Sequence, residues 1–247
     1  MRKLVYIFCI ALFLFGCGTN NTILKVSYDP IDYPPQFFSL KDKQPVLHID
    51  PVVDNREFAV KQNFHLEFVK IGRFEDDPTL IWFSKNVYGG NSSMRTSKTP
   101  PEIIREGLEA EVHRFGIKIT KDRNLADGVL KASIEKFFKT IPFEKSISNI
   151  NSTVTVKINL NLYQTGFDDP VWSGTLKGTP RFSTYADARR DWQGSSAQDL
   201  NTALNNAIKQ WHSYPGFKDA LVKLAGNVTA PPSSQQPPQA VESVYSG

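Results

Sequence analysis

The feature that most constrains the fold is a run of strict alternation over residues 154–163. Five apolar residues occupy every second position, with polar residues between them: Val154, Val156, Ile158, Leu160 and Leu162. Successive side chains of a strand point to opposite faces, so the run predicts a long strand with one buried and one wetted face. The buried face of such a sheet must be covered by other elements, and helices are the usual cover.

The rest of the central sequence predicts alternating strands and helices. Strands are predicted at 46–49, 64–72, 117–120, 128–137 and 171–178, the last in a hairpin with 154–163, with a short edge segment at 80–83 and a loop at 89–93. A helix is predicted from the cap Thr99 to the stop at Gly116. A second helix carries an apolar stripe over 200–211, with Ser196 and Asp199 spaced like a capping pair, and a third spans 217–225.

These elements predict the α+β class: a mainly antiparallel sheet of three to five strands with two main helices packed on one face. They form a single predicted domain at 45–225. Residues 17–44 are polar and contain Pro30, Pro34 and Pro35, which indicates a tether. Residues 226–247 include a Pro- and Ser/Gln-rich stretch at 231–238, which predicts a disordered tail.

The N terminus carries an export signal. Met1–Lys3 is positive, and Leu4–Phe15 is apolar but too short for a spanning helix of about 20 residues. Cys17 directly follows the small residue Gly16, so the segment resembles a bacterial lipoprotein signal. That resemblance implies removal of residues 1–16, diacylglycerol on the Cys17 thiol and an acyl chain such as palmitate on the new amine. The alternative is an ordinary export signal with an incidental cysteine.

The charge and the cysteine content of the chain argue against nucleic acid as a partner and against a cysteine-based metal site. The formal net charge is +4, and Arg2 and Lys3 in the leader supply two of these charges, which is too weak a balance to indicate nucleic acid binding. Cys9 lies in the leader and Cys17 is assigned to lipid, so no cysteine-based metal site is predicted and no cofactor is expected.

Two clusters are candidate contacts for a ligand or partner. Asp54 and Arg56 lie two apart and face the same side of an extended chain, where they could bind a polar ligand. The alternative is that Asp54 and Asn55 set a turn and that Arg56 pairs locally. The second cluster consists of Arg181, Arg189 and Arg190, with Tyr185 and Trp192 nearby. Its guanidinium groups suit lipid headgroups, lipopolysaccharide phosphate or peptidoglycan. The alternative is that this stretch is a solvated loop.

No catalytic pattern is present in the sequence. The four histidines show no metalloprotease spacing. The sequence has no Gly-x-Ser-x-Gly elbow and no Gly-rich phosphate loop. We therefore predict that the protein is not an enzyme and has no catalytic residues and no metal site.

The order of elements resembles the YajG-like family of Gram-negative lipoproteins. The residues that carry this resemblance are the lipid-attachment signal, Val52–Arg56, Lys70–Gly72, the helix pattern Ile104-x3-Leu108-x3-Val112 with Gly116-Ile117, and Leu125–Asp127 before a strand. A long alternating strand, a Trp-bearing hairpin strand and a C-terminal amphipathic helix complete the pattern.

The resemblance implies an outer-membrane lipoprotein whose domain faces the periplasm. Gly18 follows Cys17 where an Asp would retain the protein at the inner membrane of enteric bacteria, which also favours the outer membrane. The predicted function is a non-enzymatic interaction or accessory module in envelope assembly or transport, with an envelope protein as partner. The alternative is a lipid- or glycan-fragment-binding lipoprotein that uses a groove between sheet and helices.

Overall fold

The computed structural model describes residues 20–29, 44–56, 58–62, 65–69, 77–85, 91–140, 153–180 and 192–226. The predicted leader and residues 227–247 of the predicted tail lie outside these ranges, as do Cys17, Arg181, Arg189 and Arg190. The strands are β1 Asn20–Leu24, β2 Val46–Ile49, β3 Val53–Asp54, β4 Phe58–Gln62, β5 His65–Val69, β6 Leu80–Lys85, β7 Asn91–Thr96, β8 Lys118–Ile119, β9 Gly128–Thr140, β10 Thr153–Gln164 and β11 Pro170–Gly178. The helices are α1 Pro100–Arg114, α2 Trp192–Lys209 and α3 Phe217–Gly226.

The largest sheet confirms the predicted α+β class. Its order is β11-β10-β9-β2-β8, and β3 pairs with β9 beyond β2, so it has six strands rather than three to five. The long strands β9, β10 and β11 pair antiparallel. The short strands β2, β3 and β8 join in parallel.

The alternating run of β10 points as its sequence predicts. Its apolar residues are all fully buried, whereas the polar residues between them are partly exposed. Helix α2 covers this face over β10 and β11, and α1 packs against β3, β8 and α2. Helix α2 lies directly against β11 at Gly178, where a side chain would place its Cβ 1.8 Å from the backbone oxygen of Ala203.

Helix α1 begins where its sequence predicts. The Thr99 amide donates to Glu102 at 2.7 Å, and the Glu102 amide donates back to the Thr99 hydroxyl at 3.4 Å, which completes a capping box. Helix α2 differs from its predicted start. It begins at Trp192, so Ser196 and Asp199 lie inside the helix and are buried, and they do not cap it.

A second, three-stranded sheet replaces two segments that the sequence assigns to a tether and a loop. Its order is β1-β7-β6, with β1 parallel to β7 and β6 antiparallel to it. Strand β1 lies within the predicted 17–44 tether, and β7 overlaps the predicted loop at 89–93. The described part of the strand predicted at 64–72 is β5, which pairs antiparallel with β4.

Candidate functional site

The Asp54–Arg56 pair forms a buried clamp. Arg56 is 3% exposed. Its Nε and Nη2 donate to the two carboxylate oxygens of Asp54, both at 2.7 Å. Its Nη1 donates to the backbone oxygens of Leu80 at 3.1 Å and Phe137 at 3.3 Å, and Nη2 also donates to Pro78 at 3.2 Å. All five N–H donors of a guanidinium are thereby used within the protein.

The clamp joins the two sheets. Asp54 ends β3, Phe137 belongs to β9, and Leu80 begins β6 of the three-stranded sheet. A charge taken out of water is stable only when paired and hydrogen-bonded, and here the fold supplies both conditions. The structure therefore matches the alternative in which Arg56 pairs locally, and leaves its guanidinium no donor to offer to a ligand.

A second buried cluster joins the N-terminal segment to α1, and sequence reasoning missed it. The Tyr28 hydroxyl donates to one carboxylate oxygen of Glu111, which is fully buried. Nη2 of Arg114 lies 3.1 Å from the other oxygen. Burial, and then the hydrogen bond to Glu111, raise the pKa of Tyr28 far above its usual value. A Glu and an Arg three apart on a helix look like a surface pair in sequence, so only the fold reveals their burial.

Residues 20–29, which the sequence assigns to the tether, are docked along α2. The Ser27 amide donates to Oδ1 of Asn201 at 3.0 Å. The Asp29 amide donates to Oδ1 of Asn205, one helical turn further on, at 2.9 Å. Leu24 and Val26 are buried in the core between these contacts and β7. This anchoring places the start of β1 at a defined position on the domain.

The wetted face of β10 and β11 carries an open groove of about 750 Å³. Amides and hydroxyls line it in hydrogen-bonded pairs. The Ser173 hydroxyl donates to Asn161 at 2.7 Å, and the Thr175 hydroxyl donates to Asn159 at 2.9 Å. The lining residues are Lys157, Asn159, Leu160, Asn161, Ser173, Gly174, Thr175, Tyr214 and Pro215.

The rim of this groove lies along the edge strand β11, which is the last strand of the six-stranded sheet in the described ranges. The Tyr214 hydroxyl donates to the backbone oxygen of Thr175. The indole nitrogen of Trp172 donates to the backbone oxygen of Pro215 at 3.1 Å. An edge strand with free backbone groups attracts other strands, so these two bonds hold the turn after α2 against the edge as a partial cover.

Of the predicted site residues, the structure describes Asp54 and Arg56, and it brings these two together. Asp54 and Arg56 lie on the seam between the sheets, away from the groove, while Cys17 and the three arginines at 181, 189 and 190 fall outside the described ranges. In the part of the chain that the structure describes, no three His, Cys, Asp or Glu residues are grouped to hold a metal ion. No helix in that part is long and apolar enough to cross a membrane.

Known proteins resemble this chain only weakly. No protein-family model matches it, and no curated protein is similar enough to count as a relative. Among solved structures, protein XCC0632 (DUF330) from Xanthomonas campestris is 12% identical, with 82% of this chain and 96% of that chain covered and a TM-score of 0.47. The hypothetical protein CT253 from Chlamydia trachomatis is 9% identical, with coverage of 69% and 94% and a TM-score of 0.38. A minor lipoprotein from Acinetobacter baumannii is 5% identical, with coverage of 69% and 94% and a TM-score of 0.33.

These likenesses lie below a TM-score of 0.5 and below 25% identity, so we infer neither family nor function from them. The YajG-like resemblance stays a prediction, because no family model matches. Bacterial lipoproteins are present among the similar structures.

Proposed function

We propose that this protein is a non-enzymatic lipoprotein of the bacterial outer membrane that faces the periplasm. It is anchored through Cys17 and serves as an interaction or accessory module in envelope assembly or transport. The observation that carries the proposal is the placement of Cys17 directly after Gly16 and the apolar run Leu4–Phe15. Gly18, in the place of a retaining Asp, supports the outer membrane.

The fold supplies a surface for the envelope partner. The helices occupy one face of the six-stranded sheet, and the opposite face of β10 and β11 carries the open polar groove. Its paired amides and hydroxyls form a prearranged surface, since each acceptor is already oriented by a neighbour. Prearranged polar groups lower the ordering cost of binding. We assign the partner contact to this groove.

The anchor is tested by mass spectrometry of the mature protein together with membrane fractionation. We expect a triacylated N terminus beginning at Cys17 in the outer-membrane fraction. The Cys17→Ala variant is expected to carry no acyl groups and to be absent from the outer-membrane fraction. An unlipidated, soluble wild-type product would overturn the anchor and return the ordinary export signal as the better interpretation.

The partner surface is tested by site-specific crosslinking in intact cells. A photo-crosslinking residue at Asn161, in the groove, is compared with one at Arg105, on the exposed side of α1. We expect a discrete adduct with one envelope protein from position 161 and none from position 105. Equal adducts from both positions, or none from position 161, would contradict the assignment of the partner to the groove.

A second candidate function is binding of a glycan fragment in the same groove. Shallow surfaces lined by amides and hydroxyls, with Tyr214 at the rim, offer the donors and acceptors that sugar hydroxyls and N-acetyl groups use. Calorimetric titration with peptidoglycan fragments tests it. Binding that is lost in Asn161→Ala but kept in Arg105→Ala would favour the glycan, and no heat with the wild type would exclude these fragments as the ligand.

A further inference from the structure

The distance from Cys17 to the folded domain is short. Two residues, Gly18 and Thr19, lie between Cys17 and Asn20, the first residue of β1, so three steps along the chain connect them. A fully extended chain gains at most about 3.6 Å per residue, so Asn20 lies within about 11 Å of Cys17. If Cys17 carries lipid, this reach is too small to hold the domain clear of the membrane.

Strand β1 cannot peel away to lengthen this reach without loss of core contacts. It pairs with β7 over its whole length, from Asn20 opposite Ser92 to Leu24 opposite Thr96. Leu24 and Val26 are buried, and the next residues are bonded to α2. Releasing β1 would expose these side chains to water and break its backbone hydrogen bonds with β7. Both losses cost free energy, so β1 stays in the sheet.

The outward side of β1 suits a lipid surface. Thr22, Leu24 and Val26 face the core, whereas Asn21, Ile23 and Lys25 face outward. Ile23 is 69% exposed, and it is one of few large apolar residues on the described surface that are so exposed. Five residues lie between Ile23 and Cys17, so six steps along the chain place it within about 22 Å of the anchor. An aliphatic side chain beside a lysine matches the boundary between acyl chains and anionic headgroups.

We propose that an outward row formed by Asn21 and Ile23 of β1 and by Lys25, which directly follows the strand, rests on the membrane that carries the Cys17 anchor, with Ile23 in contact with lipid. This inference rests on the proposed function, since it requires an acylated Cys17. The inference adds a fixed orientation of the domain, because the short link to the anchor holds one side of the three-stranded sheet against the bilayer.

Depth-dependent quenching tests the contact in the full, acylated protein. Ile23→Cys is labelled with a fluorophore, and the protein is reconstituted in phosphatidylethanolamine/phosphatidylglycerol vesicles that contain a lipid with a nitroxide near the headgroup. Leu125→Cys is the matched control, because Leu125 is 71% exposed and belongs to a turn in the loop between β8 and β9. Both positions are exposed, so neither substitution disturbs the core.

We expect the label at position 23 to be quenched at least threefold more than the label at position 125. Insertion of ten Gly/Ser residues after Gly18 should lower the quenching at position 23 toward that of the control, since the domain can then leave the surface. Equal quenching at 23 and 125 in acylated protein would overturn this inference alone. Mass spectrometry of the same sample separates the two failures, because absence of acyl groups on Cys17 would overturn the proposed function and this inference with it.

Discussion

Tyr28 and Glu111 lie 83 residues apart in the chain, and the hydroxyl of the first donates to the buried carboxylate of the second. Arg114 holds the other carboxylate oxygen from the next turn of α1. Gly107 lies beside this contact, where a Cβ would come within 2.5 Å of Ile208 Cδ1 and 3.2 Å of the Tyr28 Cβ, so α1, α2 and Tyr28 approach closely here. The N-terminal segment is therefore part of the core and not an addition to it.

Removal of the Tyr28 hydroxyl should destabilise the fold. Tyr28→Phe leaves one oxygen of a fully buried carboxylate without its donor, and an unsatisfied buried polar group costs about 1–3 kcal/mol. Urea unfolding should show a lower midpoint with an unchanged slope. Ser213→Ala removes an exposed hydroxyl bond and should change the free energy of unfolding by less than about 0.5 kcal/mol. Equal effects of the two variants would show that the Glu111 contact contributes no stability.

The same contact makes stability depend on alkaline pH. Burial and the bond to Glu111 raise the folded-state pKa of Tyr28 above its unfolded value of 10.0. The folded state therefore keeps a proton that the unfolded state loses, so this contribution is complete below pH 10 and falls as the pH rises above it. The free energy of unfolding, measured from pH 8 to 11, should fall more steeply in the wild type than in Tyr28→Phe. Parallel curves would contradict the raised pKa.

Sequence patterns are sufficient to predict those elements whose structure is decided by residues close together in the chain. The alternation of β10 and the cap at Thr99 both follow from residues close in the chain, and both are present. Strand β1 was missed because its asparagines and the nearby prolines indicate a tether. The period-two pattern of Thr22, Leu24 and Val26 was a usable signal, since all three are buried.

The buried state of Arg56 could not be predicted in the same way. Asp54 is a neighbour in sequence, but the acceptors at Leu80 and Phe137 lie 24 and 81 residues away and are backbone oxygens. Any residue type offers a backbone oxygen, so no pattern of residue types marks such an acceptor. The strand β7, rich in polar residues, is likewise formed by pairing with β1 and β6 rather than by its own propensity.

Substitution of Arg56 should unfold the seam between the sheets. Arg56→Ala leaves Asp54 without its charge partner and three backbone oxygens without this donor, and breaking a buried pair costs about 3–5 kcal/mol. Arg56→Lys keeps the charge but not the planar fork, so it should recover only part of the loss. The free energy of unfolding by urea measures both variants.

The surface pair Arg105–Glu109 is the matched control for the clamp. It is a salt bridge of similar length, 2.8 Å, on the exposed side of α1. Exposed pairs one helical turn apart contribute about 0.3–0.5 kcal/mol, so Arg105→Ala should have a small effect. If Arg56→Ala were as mild as Arg105→Ala, the clamp would not hold the two sheets together.

The contact of Gly178 with α2 predicts that alanine at position 178 destabilises the fold, whereas alanine at position 226 does not. An alanine Cβ at position 178 would lie 1.8 Å from the backbone oxygen of Ala203 and 2.7 Å from the amide nitrogen of Ala207. Backbone atoms cannot swing aside as a side chain can, so Gly178→Ala must push α2 off the sheet, at a cost of about 3 kcal/mol. Gly226→Ala, at the end of α3, meets nothing within 4 Å and should change stability by less than about 0.5 kcal/mol. Thermal unfolding of both variants decides the matter: equal midpoints would mean that α2 does not lie against the end of β11.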